Sequence, residues 1–202
     1  MSERLAQTLR TVALVAAEDT RHSKILLDRL GISKPIVSLQ KFNERKRIPQ
    51  ILAALQSGSD VALVSDAGTP GVSDPGARLV EAASGEGFVV SPIPGPSALT
   101  ALASVAGIVA DGFYFGGFFP RKSKQANDLL KSMDCPMYFF ESPKRIGKSL
   151  AWLTEAYPDK KIVAAKELTK KFEKILRGTV KDVNAEVAKV SQKGEWCFVL
   201  YD

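Results

Sequence analysis

Two short stretches concentrate the residue types that hold ligands. Ser65-Asp66-Ala67-Gly68-Thr69-Pro70-Gly71-Val72-Ser73-Asp74-Pro75-Gly76 carries three glycines and two prolines among its acids and hydroxyls. A turn-rich loop of this kind lets backbone approach a ligand closely, although the same composition also serves a purely structural turn. The second stretch is Pro92-Ile93-Pro94-Gly95-Pro96-Ser97-Ala98. Pro96 suits the first position of a helix, whose unpaired amides attract a carboxylate or phosphate; a plain strand-to-helix connection is the alternative. Both stretches follow strand-like runs, so they are expected to converge on one crevice. Other chemistries are excluded by what is missing. There is no GxxxxGK[ST] phosphate loop and no GxGxxG after a first strand, which argues against an ATPase or an ordinary dinucleotide site. His22 is the only histidine, and Cys135 and Cys197 stand 62 positions apart. No zinc site, other metal site or disulfide framework is expected, and any Ser/His/Asp enzyme would rest on His22 alone. The bland reading of His22 is a surface helix residue.

The elements that must position these loops alternate in type. VALVAA at 12–17, IVSL at 36–39, VALVS at 61–65 and FVVS at 88–91 read as strands. Between them, TRHSKILLDRLG, a segment from about Asn43 to Gly58 and ARLVEAAS read as helices, followed by an apolar helix after Pro96. Such alternation predicts a mostly parallel sheet covered on both faces. ERKR at 44–47 reads as the solvated face of its helix. After about residue 111 the pattern changes to FYFGGF, MYFFE, KIVAAKEL and WCFVLY around helices near 125–132, 144–156 and 180–190. FEKILRGTV suggests an antiparallel pairing, hence a mixed sheet. The expected organisation is an α/β domain over 1–111 and a mixed α/β domain over 112–202.

The 202 residues are 45% apolar and 25% charged, the composition of a soluble globular chain. Of the net charge of +6, residues 1–110 hold +1 and residues 111–202 hold +5. A polyanionic partner is permitted, and the second half is where it would bind. No apolar run approaches the roughly 20 residues of a membrane span. MSERLAQTLR is too polar for a signal peptide, so the cytoplasm is the expected compartment.

Taken together, AAEDTR at 16–21, VALVSDAGTPGVSDPG at 61–76, PIPGPSA at 92–98, GFFPRK at 117–122, FFESPKR at 139–145 and KELTK at 166–170 resemble the ribosomal RNA methyltransferase branch of the tetrapyrrole methylase superfamily. The motifs occur in order over essentially the whole chain. The resemblance implies a two-domain α/β fold with S-adenosyl-L-methionine in a cleft between the domains. It also implies methyl transfer to the 2'-hydroxyl of a cytidine in small-subunit (16S) ribosomal RNA, and a homodimer acting on that RNA or on the 30S subunit. Alternatives are methylation of a tetrapyrrole carbon and a non-catalytic RNA- or ribosome-binding protein. Members of the family begin with a further strand and a Pro-Ile-Gly-Asn type loop and carry a small helical domain after the last strand; the resemblance finds neither in this chain.

By the same resemblance, Ala67, Gly68, Thr69, Pro70 and Val72 would wrap the amino-acid end of the cofactor, and Ser97 and Ala98 would contact its adenosine or methionine portion. Glu141 and Glu167 would line the adenine side, and Asp19 matches a position facing the substrate. The sulfonium is already an activated methyl donor, so the protein must align the 2'-oxygen and take its proton. Asp19, Asp66 and Glu141 are candidate bases, with Asp19 equally suited to capping the following helix. Lys166 would steady an oxyanion or a phosphate. Arg121, Lys122, Lys124, Lys144 and Arg145 are the expected RNA contacts, with Phe118 or Phe119 available to stack on a base while at least one of them enters the core.

Overall fold

In the computed structural model residues 2–202 are described. They form two compact units, the first ending at Ser97 and the second spanning Ala98–Asp202.

The first unit opens with α1 (Glu3–Thr11), whose N-cap Ser2 accepts the Leu5 amide at 3.3 Å. Then follow β1 (Leu14–Ala17), α2 (Thr20–Arg29), β2 (Ile36–Ser38), α3 (Glu44–Gln56), β3 (Val61–Val64) and α4 (Ala77–Gly85). The strands make a parallel sheet in the order β2-β1-β3, with Val15 opposite Ile36 on one side and Ala62 on the other. β1 is apolar without alternation because it is covered on both faces. Val15 and Ala17 join Leu9, Val12, Leu27 and Ile32, while Ala16 joins Val37, Leu39, Ile51 and Leu79. Gly31 closes α2 at φ +65°, the left-handed conformation that ends many helices at little cost only for glycine.

One expected strand is absent. FVVS at 88–91 forms no ladder, and Val89 is 91% exposed. The sheet ends at β3, and without hydrogen-bonding partners a strand-like apolar run remains irregular. The 44–47 run also departs from a fully solvated face, since Glu44 is buried.

The second unit contains α5 (Ala98–Ala106), β4 (Tyr114–Phe118), α6 (Ser123–Ser132), β5 (Met137–Glu141), α7 (Ile146–Ala156), β6 (Lys161–Lys166), β7 (Lys174–Thr179), α8 (Val180–Ala188) and β8 (Trp196–Tyr201). Its sheet runs β4-β5-β8-β6-β7; β4 and β5 are parallel and the remaining pairs antiparallel. Strand periodicity sorts the core onto two faces. Ile162, Ala164, Phe198 and Leu200 pack with Leu130, Leu150, Leu153, Val183 and Val187 of α6, α7 and α8. Val163, Ala165, Cys197 and Val199 pack with Leu102 and Ala106 of α5. That packing makes α5 part of the second unit, so the division falls at 97/98 where the sequence pattern suggested a change near 111. No helix among the described residues is long and apolar enough to cross a membrane.

Candidate functional site

Sheet topology selects the place where loops gather. From the central β1 the chain passes through α2 to β2 on one side, then returns through α3 to β3 on the other. In open parallel sheets such a reversal opens a crevice at the carboxyl ends of the strands. Here those ends carry Glu18-Asp19 after β1 and the Ser65–Gly76 loop after β3.

The two loops clasp each other. The Asp19 amide donates to Asp66 Oδ1 at 3.0 Å, and the Asp66 amide donates to Glu18 Oε2 at 3.3 Å. Asp19 caps α2 by accepting the Arg21 amide at 2.8 Å, and the Arg21 guanidinium grips both of its oxygens at 2.6 to 3.2 Å. These hydrogen bonds, side chain first and backbone second, hold the Asp19 carboxyl far below the usual range. The capping role of Asp19 is therefore realised. His22, one turn into α2, brings Nδ1 to 3.4 Å from Asp66 Oδ2. Asp19, His22 and Asp66 have the donor types of a divalent-cation site and lie within 4.8 Å of one another. However, Arg21 already neutralises Asp19, and His22 faces Asp66.

The rest of the β3 loop folds back on itself. Gly68 and Gly71 take positive φ of +74° and +82°, and open space lies where a Gly68 side chain would project. The Gly71 amide donates to the Pro75 carbonyl at 3.2 Å and the Val72 amide to that of Thr69 at 3.1 Å. Thr69 Oγ1 reaches within 3.5 Å of the Pro96 carbonyl, so the two proline-glycine loops do meet. Ala67, Gly68, Thr69 and Val72 are exposed, Pro70 is half-buried, and Ser97 and Ala98 follow at the entry to α5. Buried Glu44 accepts the Gly76 amide at 2.8 Å, and Lys41 Nζ donates to the Ser73 carbonyl at 2.8 Å. Lys41, Glu44, Asp74, Gly76 and Arg78 line a recess of about 280 Å³. Burial, and next the negative Glu18, pushes the Asp74 carboxyl up to about 6; the Ser65 hydroxyl and Lys41 oppose this. Glu18, Lys41, Glu44 and Asp74 were not singled out from sequence. The repeated Ser-Asp pairs at 65–66 and 73–74 were the available signal, because the loop brings Ser65 to Asp74.

In the second unit several expected residues turn inward. The Glu141 side chain is 0% exposed and Arg145 lies 3.0 Å from it. Both carboxylate oxygens are occupied, by the Ser142 amide at 2.7 Å and the Ser149 hydroxyl at 2.6 Å. Glu141 thus faces no surface on which a cofactor or substrate proton could reach it, and the half-buried Arg145 is committed to that carboxylate and to loop carbonyls. Lys166 is buried at the end of β6, donating to the Ser191 carbonyl at 2.7 Å. Glu167, at φ +50°, accepts the Glu195 amide at 2.8 Å and Lys170 Nζ at 3.0 Å, which together hold its carboxyl below the usual range. Arg121, Lys122, Lys124 and Lys144 are exposed, as is Phe118, whereas Phe119 is buried. Burial pushes the Cys197 thiol up to about 12, which rules it out as a thiolate nucleophile at neutral pH.

A three-stranded parallel sheet with long loops at its switch point is followed in the chain by a mixed five-stranded unit. The family model for Tetrapyrrole (Corrin/Porphyrin) Methylases matches residues 1–184, and the chain belongs to that family. Its fold is shared with the cobalt precorrin-4 methyltransferase of cobalamin biosynthesis, at a TM-score of 0.70 and 18% identity over 100% of this chain and 88% of that one. Much closer in sequence is the Ribosomal RNA small subunit methyltransferase I of Thermotoga maritima, 42% identical over 98% of this chain and 90% of the relative. The protein of the same name from Neisseria meningitidis serogroup A is 40% identical over 98% of this chain and 70% of its own length. Methyltransferases of this family take their methyl group from S-adenosyl-L-methionine.

Proposed function

We propose that this chain is an S-adenosyl-L-methionine-dependent ribosomal RNA methyltransferase that modifies the 2'-hydroxyl of a cytidine in small-subunit RNA. The observation that carries this reading is the identity of 40 to 42% over 98% of the chain to proteins named for that RNA. The tetrapyrrole enzyme quoted above reaches only 18%. The residues present fit the cofactor. The exposed Ala67–Val72 loop offers backbone groups, and the open space at Gly68 leaves room for close approach of a ligand. Ala67, Gly68, Thr69, Pro70 and Val72 would hold its amino-acid end; Ser97 and Ala98 follow Pro96, whose carbonyl Thr69 Oγ1 approaches at 3.5 Å. Bound there, S-adenosyl-L-methionine supplies a methyl group already activated for displacement.

The chain's own task is then to orient the hydroxyl and accept its proton. Asp19 is poorly suited to accept it, because its carboxylate is spent on Arg21 and on the cap of α2. Asp66, fixed by the Asp19 amide, faces His22 rather than a guanidinium, and is the carboxylate we assign as the base. Purified protein is expected to transfer radiolabelled methyl groups to small ribosomal subunits or their RNA, at a cytidine 2'-oxygen located by alkaline-resistant cleavage. Labelling of a tetrapyrrole in place of RNA would overturn the substrate. Asp66→Asn is expected to slow single-turnover transfer by about 100-fold, the scale of a lost general base. Asp19→Ala, which removes the cap, should show its main effect as lower thermal stability. Equal losses of rate in the two variants would refute this division of roles.

A further inference from the structure

Glu141 and Arg145 are easily taken for surface binding residues, yet the structure turns them into a joint between two loops. Arg145 Nη2 lies 3.0 Å from Glu141 Oε2 and also donates to the carbonyls of Phe119 at 2.8 Å and Pro120 at 3.3 Å. One guanidinium therefore ties the loop after β4 to the loop after β5, and these strands are parallel neighbours whose carboxyl ends lie side by side. Glu141 is itself locked by Ser142 and Ser149, so Arg145 pulls on a fixed anchor.

The two loops so joined and the helix starts that follow them carry Arg121, Lys122, Lys124, Lys144 and Lys148, all exposed. None of the five has an ion-pair partner among the described residues. Neither 119–127 nor 142–154 contains an acid. At the end of β4, Phe118 is 53% exposed and meets Phe140 edge-on, with ring centroids 6.0 Å apart. Unpaired cations beside an exposed aromatic ring suit single-stranded nucleic acid, where phosphates take the charge and a base stacks on the ring.

We infer that Glu141 and Arg145 are positioning residues, a buried brace that holds these two loops as one preformed surface for single-stranded RNA. The inference rests on the RNA reading above. A buried ion pair is costly to desolvate and is poor evidence of stability for its own sake. Its use here is preorganisation: loops already ordered lose less entropy when RNA binds.

The brace and simple charge predict opposite signs. Glu141→Gln removes a negative charge from beneath a basic surface, which by charge alone tightens RNA binding; loosening the brace weakens it. Arg145→Lys keeps the charge but is one atom shorter, so its ammonium falls short of the point where Nη2 meets a carboxylate and two carbonyls. The probe is a short fluorescein-labelled single-stranded RNA titrated with the full chain, alongside amide hydrogen exchange. Both variants are expected to weaken RNA binding about five- to ten-fold, as ordering costs return at binding, and to speed exchange in 118–122 and 142–146. Faster exchange with unchanged or tighter RNA binding overturns the inference, as does unchanged exchange. Should Glu141→Gln fail to fold, Arg145→Lys decides by the same two readouts. Wild-type protein that binds no RNA overturns the RNA reading and this inference with it; wild-type binding without weakening in the variants overturns this inference alone.

Discussion

Asp19, Asp66 and Asp74 are chemically identical side chains that the fold sets to different tasks. Arg21 and a helix amide hold Asp19 ionised, whereas burial and the nearby Glu18 raise Asp74 to about 6 from its ordinary 3.8. Between those two values the folded protein keeps a proton on Asp74 that the unfolded chain has shed, so this group's contribution to stability falls as pH rises from about 4 to about 6. Asp74→Asn is accordingly expected to stabilise the protein at pH 7 relative to wild type and to lose that advantage by about pH 4. Because the group is only half-buried, the gain should stay below about 1 kcal/mol, measured as the shift in denaturation midpoint at the two pH values. An advantage that grows toward acid would contradict the assignment. His22 shows the limit of reading residues singly. Its surface position on α2 followed from the helical pattern, while its contact with Asp66 depends on β1 and β3 lying side by side.

At the scale of elements, most strands and helices were legible because apolar spacing and end signals are local. The run from Thr20 to Gly31, the mixed character of the second sheet and the antiparallel pairing suggested by FEKILRGTV all appear as expected. Helix ends here are set by named hydrogen bonds, and α8 offers a clean test. Thr179 Oγ1 accepts the Asp182 amide at 3.2 Å and donates to Asp182 Oδ2 at 2.7 Å, just before Val180, Val183 and Val187 enter the core. Thr179→Ala is expected to cost about 1 kcal/mol, the usual worth of such a cap, seen as a lower urea midpoint with unchanged slope. The irregular 88–91 segment was not legible. VVS has the composition of a strand, but pairing requires a partner edge that no local pattern reports.

Across the whole molecule, charge and fold divide along different lines. The excess of positive charge falls in residues 111–202, while the packed units divide at 97/98 because α5 covers one face of the second sheet. If the basic loops carry RNA, affinity must fall linearly with salt on logarithmic axes, by about 0.7 in slope for each phosphate neutralised on a single strand. Arg121→Ala and Lys144→Ala are each expected to reduce that slope by about this amount; an unchanged slope would remove the residue from the RNA surface. What the sequence determined by itself was the class of fold, the loops at strand ends and the methylase motifs, since these depend on spacing along the chain. Tertiary structure alone decided which acids are clasped, that Glu141 is buried against a half-buried Arg145, and that FVVS stays outside the sheet. The physical reason is that burial and pairing are set by neighbours distant in sequence, such as Asp19 and Asp66 or Arg145 and Phe119, and the same residue types serve a site or a core according to those neighbours.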